Sequence, residues 1–242
     1  DHAIARLTSL HDGEAGLTEA IALGPAAIAA LRAVLFAREP SGLPHPRCRA
    51  VEALAALKAF DVLADFLRLR HQADDPVERL GDEIVVSAAA RAIARLRGEW
   101  VYRLLMELAA GRLIDGVLAG LGSFHRKESI TVFVGALGED GVRLTAEAVL
   151  LGFGKTARPA LIAAARERGA AGYEGESDLR RRRSALGLVL RMGITHKDWP
   201  HLRPLLDDTD TQIALLACQI CLAAGDAEDR ARLPERLTRL RS

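Results

Sequence analysis

Several short stretches carry residue types that could do chemistry. Gly154-Lys155-Thr156 has the ending of a phosphate-binding loop. Such a loop needs a first glycine five residues earlier, and that position is Val149. The preceding TAEAVLLGFG also reads as a helix ending in glycines rather than as a strand, so the backbone nest that wraps phosphate is not expected here. Cys218-x-x-Cys221, with His196 and His201 upstream, has the ligand types of a zinc site. The cysteines sit inside IALLACQICLAA, an apolar helix, where small buried core residues are the simpler reading and burial blunts a thiol. The loop SFHRKES, residues 123–129, brings His125 close to Glu128, an imaginable acid–base pair with no visible third partner.

Two further features suggest contact rather than catalysis. Arg180, Arg181, Arg182 and Arg183 form a run. On a helix Arg180 and Arg183 share a face while the middle two point elsewhere. The planar guanidinium pairs bidentately with carboxylate or phosphate, so the run is a candidate anion contact. The plainer reading is a solvated helix start, with Glu174, Glu176 and Asp178 as local partners. Trp100 and Tyr102 flank Val101 and cannot all face one core, so one of them is a candidate partner anchor. Trp199, before Pro200, reads as packing at a helix entry. No H-E-x-x-H, G-x-S-x-G or dinucleotide fingerprint appears. No catalytic residue, metal or cofactor is assigned.

The elements that must position these residues follow from composition and repetition. Half the chain is hydrophobic but aromatics are only 4%. Alanine and leucine, strong helix formers, fill the apolar positions, which predicts an all-α protein. The formal charge of +1 falls short of the basic excess of a dedicated nucleic-acid binder. No apolar run approaches the ~20 residues that span a bilayer. The start, DHAIARLTSLHDGEAG, lacks the basic-then-apolar order of a secretory leader, and three cysteines suit a reducing compartment. A cytoplasmic protein is expected, and the missing initial Met reads as a trimmed or partial chain.

LGPAAIAAL, residues 23–31, aligns without gaps on FGKTARPAL, residues 153–161, and LRPLL, residues 202–206, matches ARPAL, residues 157–161. Gly154-Lys155-Thr156 is therefore a repeat junction, with a glycine ending one helix just before the next begins. Polar turns carrying Asp140, Asp178, Asp208 and Asp210 can cap helix starts, and Pro46 suits a first turn. Helices are expected at 14–23, 25–37, 46–57, 60–71, 76–96 (unbroken or interrupted near Gly81), 99–110, 112–122, 127–138, 141–152, 156–168, 177–192, 199–206, 210–224 and 228–240. Pairs recur roughly every 30 residues, an interval that suits helix-pair solenoids.

The pattern L-G-x-x-A-x-x-A-L followed by D-x-x-V-R-x-x-A-x-x-A-L resembles HEAT repeats, most of all the short kind in phycobilisome-lyase-type proteins. It is strongest over residues 23–57, 139–161 and 200–226. The Val-Arg pair stands as Val142-Arg143, but Thr211-Gln212 and the arginine run replace it in later repeats. The loops SGLPHP, residues 41–46, and GYEGES, residues 172–177, are longer than the pattern requires. The resemblance implies one HEAT-like domain over residues 1–242. Its architecture would be a right-handed α-α superhelix of about six stacked antiparallel helix pairs. The function expected of it is a non-catalytic scaffold or adaptor that holds a protein partner, favouring an acidic one, along its concave face. The candidate contacts are Arg49, Arg143, Arg180, Arg182, Arg183 and Trp100. The same resemblance brings in two other readings: a bilin-lyase-like or other small-molecule enzyme, and a nucleic-acid-binding HEAT-like protein, which the low net charge disfavours. No membrane partner is expected.

Overall fold

The computed structural model describes residues 2–9, 11–37, 43–69, 75–169 and 174–239 of the chain. Sixteen α-helices and no strands occur among them. The contacts divide the chain into two compact units, Asp1–Phe124 and His125–Ser242. The first holds α1 (His2–Thr8), α2 (Gly13–Ala22), α3 (Ile28–Phe36), α4 (His45–Ala56), α5 (Phe60–Arg68), α6 (Pro76–Ala94), α7 (Glu99–Gly111) and α8 (Asp115–Gly122). The second holds α9 (Ile130–Ala136), α10 (Arg143–Phe153), α11 (Arg158–Arg166), α12 (Glu176–Arg191), α13 (Trp199–Leu202), α14 (Thr211–Ala224), α15 (Ala227–Ala231) and α16 (Leu233–Arg239). No single helix among the described residues is long and apolar enough to cross a membrane.

Packing follows chain order within each unit. α2 packs on α4, α4 on α6 and α6 on α8; α10 packs on α12 and α12 on α14. The odd helices α3, α5, α7, α11 and α13 each lean on the even helix that follows. This is the arrangement of an α-solenoid, in which a helix pair buries its apolar face only against its neighbours. Leu31, Leu35, Leu54, Leu63, Ile93 and Leu105 fill the first unit. Leu150, Leu161, Leu186, Leu202 and Ile213 fill the second. Alanines Ala50, Ala89, Ala146, Ala185 and Ala217 are fully buried on the even helices and let them approach closely.

The sharp turns share one backbone device. Gly24, Lys58, Arg97, His125, Gly154 and Gly193 have positive φ, and they lie between α2 and α3, α4 and α5, α6 and α7, α8 and α9, α10 and α11, and α12 and α13. Gly24 and Gly154 each open a 3-10 turn that runs into the next helix, so the aligned glycines are true junctions and Gly-Lys-Thr is one of them. Other expectations shift in detail. α1 was not anticipated, α6 runs unbroken through buried Gly81, and the last expected helix is split into α15 and α16, with Pro234 in the first turn of the second. Pro46 lies in the first turn of α4 and Asp210 caps α14 through the Ile213 N–H. Asp140 and Asp208 serve as ion-pair partners, and Asp178 lies within the first turn of α12. Residues 41–42 and 172–173 of the two long loops lie outside the described residues.

Two buried arginines repeat one geometry. Arg47 of α4 donates from Nε to the Leu35 carbonyl at 3.0 Å and from Nη1 to Asp82 of α6 at 2.5 Å. Arg182 of α12 donates from Nε to the Ala165 carbonyl at 3.0 Å and from Nη2 to Asp208, just before α14. Its Nη1 also contacts both oxygens of Glu174, at 2.7 and 2.8 Å. Leu35 and Ala165 are the penultimate residues of α3 and α11. Their carbonyls belong to the last turn, which has no helical donor, and arginine supplies one. Each arginine therefore ties the end of one odd helix to its own even helix and to a carboxylate of the next repeat, inside α6 for Arg47 and just before α14 for Arg182.

The charges at the second of these joints are set by partners. Burial opposes charge on Asp208, but hydrogen bonds from Arg182 and the Asp210 N–H, with the Arg182 and Arg168 charges, hold its carboxyl below the usual value. The fork of Arg183 lowers Asp210 likewise, against burial and with help from the Ile213 N–H. Burial disfavours the Arg182 cation, and Asp208 and Glu174 more than offset it.

Two outcomes are expected. Gly154 has φ +54 and a Cβ there would meet nothing within 4 Å, so Gly154→Ala isolates backbone strain. It should cost about 1–3 kcal/mol in urea unfolding, while Lys58→Gly, at φ +59, should be neutral or gain about 1 kcal/mol. Asp208→Asn leaves a buried guanidinium short of a counter-charge and should cost about 3 kcal/mol at pH 7, the low end for a broken buried pair because Glu174 remains. Because Asp208 and Asp210 titrate lower when folded, their contribution is complete above the unfolded value of about 3.9 and is lost as pH falls through the folded values. Urea midpoints measured from pH 7 to pH 3 should fall less steeply below about pH 4 in the variant than in the wild type.

Candidate functional site

The arginines expected to meet a partner are largely occupied within the chain. Arg182 is fully buried at the joint described above, so it is corrected from a surface contact to a structural one. Its neighbours are committed as well. Arg183 makes a forked pair with Asp210 at 3.1 and 2.5 Å. Arg180 donates to the Gly138 carbonyl at 2.8 Å and pairs with Asp140 at 3.0 Å. Arg181 pairs with Asp178 at 3.2 Å. Glu174, Glu176 and Asp178 do act as local partners, as the plainer reading held. Arg49 spends its Nη1 on the Leu7 and Ser9 carbonyls, at 3.0 and 2.9 Å, and its Nε on Glu14 at 3.3 Å. Arg143 lies between Asp140 at 3.8 Å and Glu147 at 3.5 Å. The structure brings Arg180 and Arg143 to the same carboxylate, Asp140, and places Arg49 in the other unit.

The remaining sequence candidates resolve as follows. Cys218 and Cys221 are buried in α14, and burial raises both thiols. His196 donates from Nδ1 to the Ala224 carbonyl at 2.8 Å, and His201 is exposed. No group of three or more His, Cys, Asp or Glu is placed to hold a metal among the described residues. His125 has φ +52 and lies 5.1 Å from the Phe153 ring, a packing role at a turn. Tyr102 is buried against Phe124, at 5.6 Å, whereas Trp100 is 43% exposed. Trp100 lines a shallow depression of about 530 Å³ with Arg68, Arg103 and Glu107. Trp199 is fully buried at the start of α13, donating to Asp229 at 3.0 Å.

A larger feature, unanticipated from sequence, lies in the first unit. The outward faces of α2, α4 and α6 border an open groove of about 670 Å³. Val51, Ala55, Ala88 and Ala92 supply its small apolar surface. Glu14, His45, Arg49, Glu52, Arg91 and Arg95 supply its polar rim. Glu14 is spent on Arg49, and Arg91 on Asp115 of α8. Glu52 and Arg95, both exposed, have no side-chain partner among the described residues. Cys48, half-buried in the same groove, is raised by burial despite the adjacent Arg47 charge. Its thiol is therefore protonated near neutrality and is a poor nucleophile. Helical spacing puts positions 45, 48, 52 and 55 on one face of α4, and 88, 91 or 92 and 95 on one face of α6, a signal visible only once both helices are known to border one space.

No protein-family model and no curated protein matches the chain. Among solved structures it is similar to the complex of CpcE and CpcF of phycocyanin lyase from Nostoc sp. PCC7120, at 21% identity and a TM-score of 0.40, over 98% of this chain and 93% of that one.

Proposed function

We propose that the chain is a HEAT-like, non-catalytic protein-binding module of the cytoplasm, and that the groove on α2, α4 and α6 receives a segment of its partner. The observation that carries this reading is the groove's inventory. It has an alanine-rich surface and two exposed charges, Glu52 and Arg95, left without a side-chain partner among the described residues. The cations of the run Arg180 to Arg183, by contrast, are matched internally. Small side chains let another backbone approach closely, and a preformed surface loses little ordering entropy on binding. The same inventory favours binding over catalysis. His45 and Cys48 lie one turn apart on α4, but a thiol raised by burial is not an activated nucleophile. Trp100 offers a second anchor on α7.

The test passes a lysate of the source organism over the immobilised protein and, in parallel, over Ala88→Trp, which fills the groove from a half-exposed position on α6. A protein retained by the first column and at least tenfold depleted on the second is expected. Equal retention on both, with loss on Trp100→Ala instead, would move the contact to α7. Nothing retained on any column overturns the reading.

A further inference from the structure

The outward face of α6 continues beyond the groove. Positions 77, 80, 84, 88, 91 and 95 follow the helical period and so share one face. Its first half is apolar and open: Val77 is 59% exposed, Leu80 60% and Ile84 43%. Its second half enters the groove through Ala88 and ends on Arg91 and Arg95. Arg91 is engaged by Asp115, which leaves Arg95 as the cation of this face without a partner among the described residues. The face thus has a direction, apolar at one end and positive at the other.

We infer that the partner segment is an amphipathic helix lying along α6, with apolar residues over Val77, Leu80 and Ile84 and a carboxylate at Arg95. The inference rests on the binding reading above and names its occupant. A helix suits because ridges at 3.6-residue spacing pack into the grooves of another helix, and because Ala88 and Ala92 leave room for its backbone. Val77 to Arg95 spans about 27 Å at the helical rise, the length of some 18 residues. Charge complementarity fixes the acidic end. Arg95 attracts a carboxylate, whereas Glu52, on the α4 side of the same groove, repels one, and the apolar half offers a carboxylate no counter-charge. An occupant acidic at the wrong end would leave Arg95 covered and unpaired, which is costly.

The test selects binders from a phage-displayed library of helix-forming 18-residue peptides on the wild-type protein. Affinities of the best binder are then measured by fluorescence anisotropy. The proteins compared are wild type, Leu80→Asp, Arg95→Glu and Ala88→Trp, each checked for helicity by circular dichroism. Enriched peptides should carry apolar residues at i, i+3 or i+4, and i+7, with a carboxylate near one end. Leu80→Asp and Arg95→Glu should each weaken binding at least tenfold. Replacing the peptide carboxylate by lysine should restore binding to Arg95→Glu and not to Leu80→Asp. Binders blocked by Ala88→Trp but indifferent to Leu80→Asp and Arg95→Glu overturn this inference and leave groove binding standing. A library that yields no binder overturns the helical occupant, and the column comparison then decides the groove by itself.

Discussion

Every element in the two units is placed by the need to stack helix pairs, and the buried arginine joints fix how they stack. A leucine and alanine surface is slippery. Many registers bury similar area, because the side chains are small and alike. A guanidinium with fixed donors is not tolerant in that way. Arg47 must reach the Leu35 carbonyl and Asp82 at once, and Arg182 must reach Ala165, Glu174 and Asp208. A slip by one residue would leave a charge buried and unpaired, at a cost of several kcal/mol. The net stability gained from such pairs is small, since desolvation cancels most of it. Their effect is discrimination between registers, and the groove depends on that register, because its walls come from three helices.

The distribution of arginine between structure and surface follows from this. A chain with 33 basic and 32 acidic residues could display an even mosaic of charge. Here Arg49 ties down the Leu7 and Ser9 carbonyls at the end of α1, a seven-residue helix that also packs on α2 through buried Ala3 and Leu7. In the second unit Asp229 accepts from both Trp199 and Arg203, which brings α13 to α15. Cations that look like a binding patch in one dimension become joints in three.

Legibility in the sequence tracked the range of the interaction. The all-helical class and the junctions at Gly24 and Gly154 were readable because glycine leaves a local mark and the flanking residues repeat. Lys58, Arg97 and His125 also take positive φ but carry no such mark in their residue types. Local pairs such as Arg181 with Asp178 were readable at helical spacing. The burial of Arg182 was not, because Asp208 is 26 residues away and the Ala165 carbonyl 17. The split at Pro234 had a local sign that was missed. Gly81 gave a false one, since a buried glycine inside α6 serves packing rather than breakage.

The groove itself was beyond local reading for a physical reason. Each helix contributes residues that look ordinary alone: alanines that suit any helix, and charges that suit any surface. Their meaning comes from being neighbours across α2, α4 and α6. Exposed Val77, Leu80 and Ile84 do carry a local sign, because an apolar face that stays open on a folded helix costs solvation with no return inside the chain. Buried alanines of the same helix show that its other side is already used for stacking. An amphipathic helix normally turns its apolar stripe inward. α6 is apolar on both its packed side and half of its outward side, and the arginine at the end of that second stripe gives the open face a polarity that packing within the unit does not require.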